Sequence, residues 1–443
     1  MFRFPPGPKK GFPGSALLRF RKNPLAYFER MAREFGDISY VKLGRRNIFL
    51  LNHPDLIRDV LVTHHENFTK GGAFARTRKL LGNGLFFSEG EFHTRQRRMI
   101  KPAFDHRRIS EFAKLMVQQA EYMRSRWHDG MRLNVSNEML RLTLEIVAET
   151  LFGTNLQSKT SNIVTVLTKT MRSLSTRLPF ASVLEKLPFP SVRKVNACRA
   201  KLDEIVYGLI NERRLSAHKH SDLLSLLLLA QREADNGAQI ADEQVRDEVV
   251  TILLAGQLTT ANSLSWTWYL LSKHLEVETR LHEELDAVLA GRMPTHTDLQ
   301  SLPYTEKVIR ESLRLYSPGW MMGRRALSDY ELRDYIAPAG SILVVSPYLS
   351  HRDARYFAEP LRFNPERWTP EFRAALPKYA YFPFGGGPRG CIGEGFAWTE
   401  MILIVATVAQ QWKLQLMPDH PVVPQPLVTL QPKHGLSMTV TRR

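Results

Sequence analysis

Phe384-Gly385-Gly386-Gly387-Pro388-Arg389-Gly390-Cys391-Ile392-Gly393 sets one cysteine in a turn built mostly of glycine, just ahead of an apolar, helix-like run from Phe396 to Ala409. Glycine lets the main chain approach a neighbouring group closely, so backbone N–H groups can crowd around the sulfur. Those dipoles, and the N-terminus of the helix that follows, favour negative charge; the thiol pKa falls and the thiolate becomes available as a metal ligand. A buried structural cysteine in a tight turn is the ordinary alternative. Five fixed positions in this stretch, Phe384, Gly387, Arg389, Cys391 and Gly393, weigh against it.

The pattern Phe-x-x-Gly-x-Arg-x-Cys-x-Gly resembles the haem-binding loop of the cytochrome P450 family. The resemblance implies that Cys391 is the axial ligand of haem b iron, where a thiolate pushes electron density onto the metal and favours O–O cleavage. It also implies a mainly α fold with minor β, a long central helix lying over the haem and a small β-sheet at one edge. It runs from about Pro24 to the C-terminus, so one catalytic domain over residues 24–443 is expected after a proline-rich segment, residues 1–23.

Length alone, 443 residues, would suggest about three domains, and a hydrophobic content of 43% can fill a large core. Two cysteines, Cys198 and Cys391, leave no disulfide framework and no thiolate-rich zinc or iron–sulfur site, and they fit a reducing cytoplasm. A formal charge of +17 suits nucleic acid, an anionic membrane or an acidic protein partner. No zinc-finger spacing or RNA-binding aromatic signature supports the first. The N-terminal MFRFPPGPKK lacks an apolar signal core, and runs such as Val249–Gly256 and Ile402–Ala409 are too short to cross a bilayer, so a soluble protein is expected. The proline-rich start is similar to the hinge behind the membrane anchor of eukaryotic family members. With no anchor ahead of it, the bacterial type is expected.

From the beginning of the chain, Pro24–Phe35 reads as an amphipathic helix with proline in its first turn. Ile38–Gly44 and Asn47–Asn52 read as strands, and His53–Phe68 as a helix. Thr69–Gly90 is a long loop with five glycines and an apolar set including Phe74, Leu80, Phe86 and Phe87. Such loops are often functional, although an ordinary connection folded onto the core would look the same. In the family this loop lies over the substrate pocket, which implicates Phe86 and Phe87.

His93 and Arg97 share one helical face. The family places a Trp-x-x-x-Arg pair here to bond a haem propionate; this sequence has His at the first position, still a hydrogen-bond donor. Arg95, Arg98, Lys101, Arg107 and Arg108 surround the pair with a single acid, Asp105. A solvated helix face is the common meaning of such a run. In the family this helix flanks the thiolate side, where an acidic electron donor docks, and opposite charge would speed the encounter. Periodic apolar positions then predict scaffold helices over Glu111–Trp127, Asn137–Phe152, Ile163–Leu174, Val192–Arg214 and Asp222–Leu229. The proline-rich interruption Arg177–Pro190 is either a plain connection or, as in the family, a mobile lid.

Acids at Asp242, Glu243, Asp247 and Glu248 predict the start of a long helix running to about Leu271. Its middle, Ala255-Gly256-Gln257-Leu258-Thr259-Thr260, offers a glycine and hydroxyls where a local bend is easy. In the family pattern Ala/Gly-Gly-x-Asp/Glu-Thr-Thr/Ser the acid feeds protons and the first Thr holds dioxygen. Ala255, Gly256, Thr259 and Thr260 match, and Leu258 occupies the acid position. Leucine cannot relay protons, and general acid help is commonly worth roughly 10²–10⁴-fold in rate. Ordered water past Thr259, relay by Gln257, Asn262 or Ser263, or a polar group on the substrate could compensate. Otherwise the enzyme works without reductive activation.

Glu311 and Arg314 lie three apart on one helical face, a weak signal alone. With Phe363-Asn364-Pro365-Glu366-Arg367-Trp368 it becomes strong, since the family joins the glutamate and both arginines, here Glu311, Arg314 and Arg367, in a buried network bracing the haem loop. By resemblance Trp320 and Met321 lie beside the haem on the substrate side, and Arg324 and Arg389 contact propionates; Leu436 to Met438 reads as a turn closing the pocket. Ser341–Pro347 and Leu427–Thr441 read as strands. The implied function is monooxygenation of a hydrophobic small molecule such as a fatty acid or terpenoid, using O2 and electrons from a ferredoxin and its reductase in trans. A haem-thiolate peroxygenase, isomerase or dehydratase is the alternative, supported by Leu258. A non-catalytic haem sensor would need an output domain that the sequence lacks.

Overall fold

Asn23 accepts the Ala26 N–H through its side chain at 3.1 Å and Pro24 takes the first helical position, so the helix Pro24–Phe35 begins where the sequence predicts. The computed structural model describes residues 3–9, 12, 14–71, 78, 81–155, 163–166, 190–215, 222–232 and 241–443. These fall into two compact units, Met1–Ala73 with Arg310–Cys391, and Phe74–Ile309 with Ile392–Arg443.

The first unit is organised by a five-stranded sheet. Ile38–Leu43 pairs antiparallel with Arg46–Leu51 across a turn in which Gly44 takes φ +62°, a left-handed value that glycine adopts without penalty. Arg46–Leu51 runs parallel to Ile342–Val345, which pairs with Met322–Ala326 and through it with Phe68–Thr69. Phe49, Leu51, Ile57, Val60, Leu343 and Val345 bury the sheet's inner face. The helix expected over His53–Phe68 is broken up: Pro54–Arg58 is α-helical, Asp59–Thr63 widens into a π turn, His65–Asn67 is a single 3-10 turn, and Phe68 already belongs to a strand. The N-terminal segment is tied down, its Pro6 carbonyl accepting the Tyr40 N–H at 3.0 Å.

The second unit is helical. His106–Ser125, Val135–Phe152, Asp242–Leu271 and Glu394–Ala409 pack on one another. Asn134 caps Val135–Phe152 at one end and Gly153, at φ 54°, at the other. Asp242 and Glu243 occupy the first turn of Asp242–Leu271, hereafter the central helix, where the exposed N–H groups favour carboxylates. A three-stranded sheet, Arg132–Asn134, Ser437–Arg442 and Trp412–Leu416, lies in this unit too. The helices expected over Val192–Arg214 and Asp222–Leu229 run Pro190–Leu215 and Leu223–Arg232. Of Ile163–Leu174 only 163–166 are described, and they are helical. The lid segment Arg177–Pro190, except Pro190, and Gly72, Phe74 and Leu80 of the long loop lie outside the described residues. Among the described residues no helix is long and apolar enough to cross a membrane. The architecture is mainly α with small sheets.

Candidate active site

In the first unit the cysteine loop is shaped by contacts only glycine allows. Gly385 and Gly387 take φ +74° and +65°. A Cβ on Gly387 would lie 2.1 Å from the Leu61 carbonyl oxygen, and one on Gly386 2.4 Å from the Tyr379 ring. The Cys391 N–H donates to the Phe384 carbonyl at 2.9 Å and the Gly390 N–H to Gly387 at 2.9 Å, which closes the loop and leaves Cys391 exposed.

This loop is braced from behind. Both Glu311 oxygens accept from Arg314, at 2.8 Å each. Glu311 also accepts from Arg367 Nε at 2.9 Å, the Asn364 N–H at 3.0 Å and Trp368 Nε1 at 2.9 Å. Arg314 Nη1 donates to the His351 and Pro360 carbonyls at 2.7 Å. His351 in turn accepts the Phe382 N–H on its Nε2 at 2.8 Å, two residues before Phe384. Burial and the nearby Arg314 and Arg352 charges hold His351 well below the usual histidine range, so the neutral imidazole can accept that bond. Glu311, Arg314 and Arg367 are thus brought together, and His351 carries the network into the loop. Sequence reasoning missed His351, which stands in no motif that the spacing reveals.

Arg324 is buried on its strand, with Nη1 donating to the Gly323 carbonyl at 3.1 Å, and Arg389 is half-buried in the turn after Gly387. Trp320 is buried, its ring 6.2 Å from that of Phe28 and its carbonyl accepting the Ser346 hydroxyl, while Met321 is half-buried.

In the second unit the central helix is buried from Val245 to Leu254 and from Thr260 to Trp268, but opens between them. Ala255 is exposed and Gly256, Leu258 and Thr259 are half-buried. Gly256 serves close packing: a Cβ there would lie 2.8 Å from Val147 Cγ2. The Thr259 hydroxyl donates to the Ala255 carbonyl at 2.7 Å. The three side chains considered for proton relay all have local partners. Gln257 donates to Leu140 at 3.1 Å, Asn262 to the Thr429 hydroxyl at 3.0 Å, and Ser263 to the Thr259 carbonyl at 2.9 Å.

A carboxyl that sequence reasoning missed stands beside this stretch. Glu400, on the helix Glu394–Ala409, is fully buried with the Thr260 hydroxyl as its polar neighbour. Burial, only partly offset by Thr260, pushes it well above the ordinary carboxylate range and so favours the protonated acid. Its place in an apolar run, nine residues after Cys391 in the numbering, was the available signal.

His93 is buried and Arg97 half-buried on the helix Gly90–Ile100. Arg95, Arg98, Lys101 and Arg107 are exposed around them. Phe86 is exposed and Phe87 buried, their rings 4.9 Å apart. Leu436 is fully buried, its carbonyl accepting the Val135 N–H at 2.8 Å. Gly393, half-buried, lies against the Phe104 ring.

The chemistry of these residues fits an iron porphyrin. An exposed thiol on a rigid turn is a soft, single donor. An opening lined by small side chains in an otherwise buried helix is a surface that a flat apolar group can cover. His93, Arg97, Arg324 and Arg389 are donors suited to carboxylates.

The family profile described as Cytochrome P450 matches residues 5–439. The cyclooctat-9-en-7-ol 5-monooxygenase of Streptomyces melanosporofaciens is 39% identical over 90% of this chain and 86% of its own. The pentalenene oxygenase of Streptomyces avermitilis is 35% identical over 95% of this chain and 94% of its own. Among solved structures, the heme domain of cytochrome P450DA superposes with a TM-score of 0.88 at 26% identity, covering 100% of this chain and 98% of that one.

Proposed function

The chain belongs to the cytochrome P450 family of haem-dependent oxidoreductases, and from that premise we propose that it is a terpenoid monooxygenase with haem b ligated by Cys391. The observation that carries the reading is the loop: an exposed cysteine whose backbone is fixed through Gly387, His351 and the buried Glu311–Arg314 pair. The substrate class rests on the names of the relatives, which act on cyclooctat-9-en-7-ol and pentalenene.

Bound haem would supply reductive activation of O2 and transfer of one oxygen atom to a C–H or C=C bond. The chain's own residues do the rest. By the family resemblance Cys391 would supply its thiolate, and the donors His93, Arg97, Arg324 and Arg389 would serve the propionates. Ala255, exposed where the central helix opens, leaves room there, and the Thr259 hydroxyl, which donates its proton to the Ala255 carbonyl, can accept a hydrogen bond on its oxygen. With Leu258 unable to relay protons, the Thr260–Glu400 pair supplies the carboxylic acid beside this stretch. The exposed Arg95, Arg98, Lys101 and Arg107 suit an acidic ferredoxin, reduced by its reductase in the cytoplasm.

The test is purified haem-loaded protein with pentalenene and cyclooctat-9-en-7-ol, driven in parallel by a ferredoxin–reductase pair and by hydrogen peroxide. Product with the redox pair, exceeding the peroxide released and lost in Cys391→Ser, supports the reading. Product with peroxide alone favours the second reading, a peroxygenase, whose specific support is Leu258.

A further inference from the structure

Two neighbouring carboxylates on the central helix grip the segment 81–88. Asp247 Oδ2 accepts the Asn83 N–H at 2.5 Å, and Glu248 Oε2 accepts the Leu85 N–H at 2.8 Å. Gln244, one turn earlier, donates to Glu248 Oε1 at 2.7 Å and reaches the Asn83 carbonyl at 3.5 Å. Asp247 is held in turn by Arg246 Nη1 at 2.9 Å, and Arg246 Nε donates to Asp203 at 2.7 Å. Both carboxylates are buried.

Two glycines make the approach possible. A Cβ on Gly82 would lie 1.8 Å from Asp247 Oδ1, and Gly82 also takes φ +89°. A Cβ on Gly84 would lie 2.2 Å from the Thr251 hydroxyl oxygen and 2.4 Å from the Asp247 carbonyl oxygen. Leu81, Leu85 and Phe87 are buried, while Phe86 is 43% exposed. The segment therefore anchors three apolar side chains and leaves one aromatic ring outside.

Two adjacent buried carboxylates are a costly way to hold a loop, because each loses its water and they repel each other. What they provide is a stiff, directional grip on alternate backbone N–H groups. We infer that Asp247 and Glu248 are positioning residues that clamp segment 81–88 to the central helix and so hold Phe86, edge-on against the buried Phe87 ring, as a rigid specificity edge. The clamp stands on its own geometry; its use in substrate selection rests on the monooxygenase reading. An apolar polycyclic substrate offers few polar handles, so its orientation depends on walls that do not move.

The experiment compares haem-loaded wild type with Glu248→Gln, Glu248→Ala and Gly84→Ala. Hydrogen exchange is followed on peptides spanning 81–88. Dissociation constants for pentalenene and cyclooctat-9-en-7-ol are read from the ligand-induced change in haem absorbance, and product distributions are determined on the same proteins. Gln keeps an acceptor for the Leu85 N–H, whereas Gly84→Ala pushes the segment off Thr251 with both carboxylates intact. Exchange is expected to rise roughly tenfold to a hundredfold in Glu248→Ala and Gly84→Ala, and to stay near wild type in Glu248→Gln. The two loosened variants should also bind the probes more weakly and give broader product mixtures, with haem content unchanged.

Unchanged exchange in both alanine variants overturns the clamp. Raised exchange with unaltered dissociation constants and products overturns the specificity role. If Glu248→Ala fails to fold, Gly84→Ala decides alone. A wild type that binds neither probe counts against the terpenoid reading, and exchange still decides the clamp.

Discussion

The Arg314 guanidinium meets the Glu311 carboxylate edge to edge, Nε to Oε2 and Nη2 to Oε1, both at 2.8 Å, with both side chains fully shielded from solvent. A bidentate pair of this kind is strong and directional, and every remaining lone pair of Glu311 is used by Arg367, Asn364 and Trp368. Removing one partner strands a buried charge. Glu311→Gln and Arg314→Leu should therefore each cost about 3–5 kcal/mol in denaturant unfolding. Because Arg314 bonds the His351 carbonyl, and His351 bonds Phe382, the cysteine loop should loosen as well, and purified variants should show a lower haem-to-protein absorbance ratio.

The two motif glycines on either side of Cys391 should respond differently to alanine. Gly387 combines φ +65° with a virtual Cβ 2.1 Å from the Leu61 carbonyl, whereas Gly393 has φ −93° and an ordinary 3.6 Å contact with the Phe104 ring. Gly387→Ala is expected to cost at least about 1–3 kcal/mol and to reduce haem retention. Gly393→Ala should be nearly neutral in both measurements. Equal losses would mean that the loop is constrained by haem contact alone and not by its own backbone.

Leu258 is half-buried in the opening of the central helix, and the neighbouring polar side chains Gln257, Asn262 and Ser263 are engaged locally. If proton supply limits the reaction, Leu258→Glu should raise coupled product formation with the redox pair, within the roughly 10²–10⁴-fold range of general acid help. The measurement is product formed per peroxide released. Unchanged or lower coupling assigns Leu258 to the shape of the pocket.

The cysteine loop and the central helix were legible because each is a local pattern, glycines around a cysteine and acids ahead of an apolar run, whereas the Glu311 network was legible only through its second stretch, Phe363 to Trp368, and the family resemblance. The fate of Gly256 was not legible. The sequence pointed to its freedom to bend, and the structure adds a packing reason, Val147 lying where a side chain would be. His53–Phe68 misled for a related reason: its apolar spacing is helical, but Phe68 pairs with Ala326, a strand far along the chain. Glu400 and His351 stayed hidden because their significance lies in burial, and burial of one polar residue in an apolar run is decided by distant elements.

Glu400 gives a pH prediction whose sign follows from linkage. Burial raises its carboxyl well above 4.5 in the folded protein, so below that value both folded and unfolded chains carry the proton and stability is unaffected. As pH rises above it, the unfolded chain ionises while the folded chain keeps its proton, and stability falls by up to about 1.4 kcal/mol per pH unit. Glu400→Gln preserves shape and the Thr260 neighbour but cannot ionise. Its advantage over wild type in urea unfolding should be absent near pH 4 and widen as pH rises above the ordinary carboxylate range. Parallel curves for the two proteins would show that Glu400 is ionised in the fold, and with that the protonated acid beside Thr260 would be lost as a proton-bearing group.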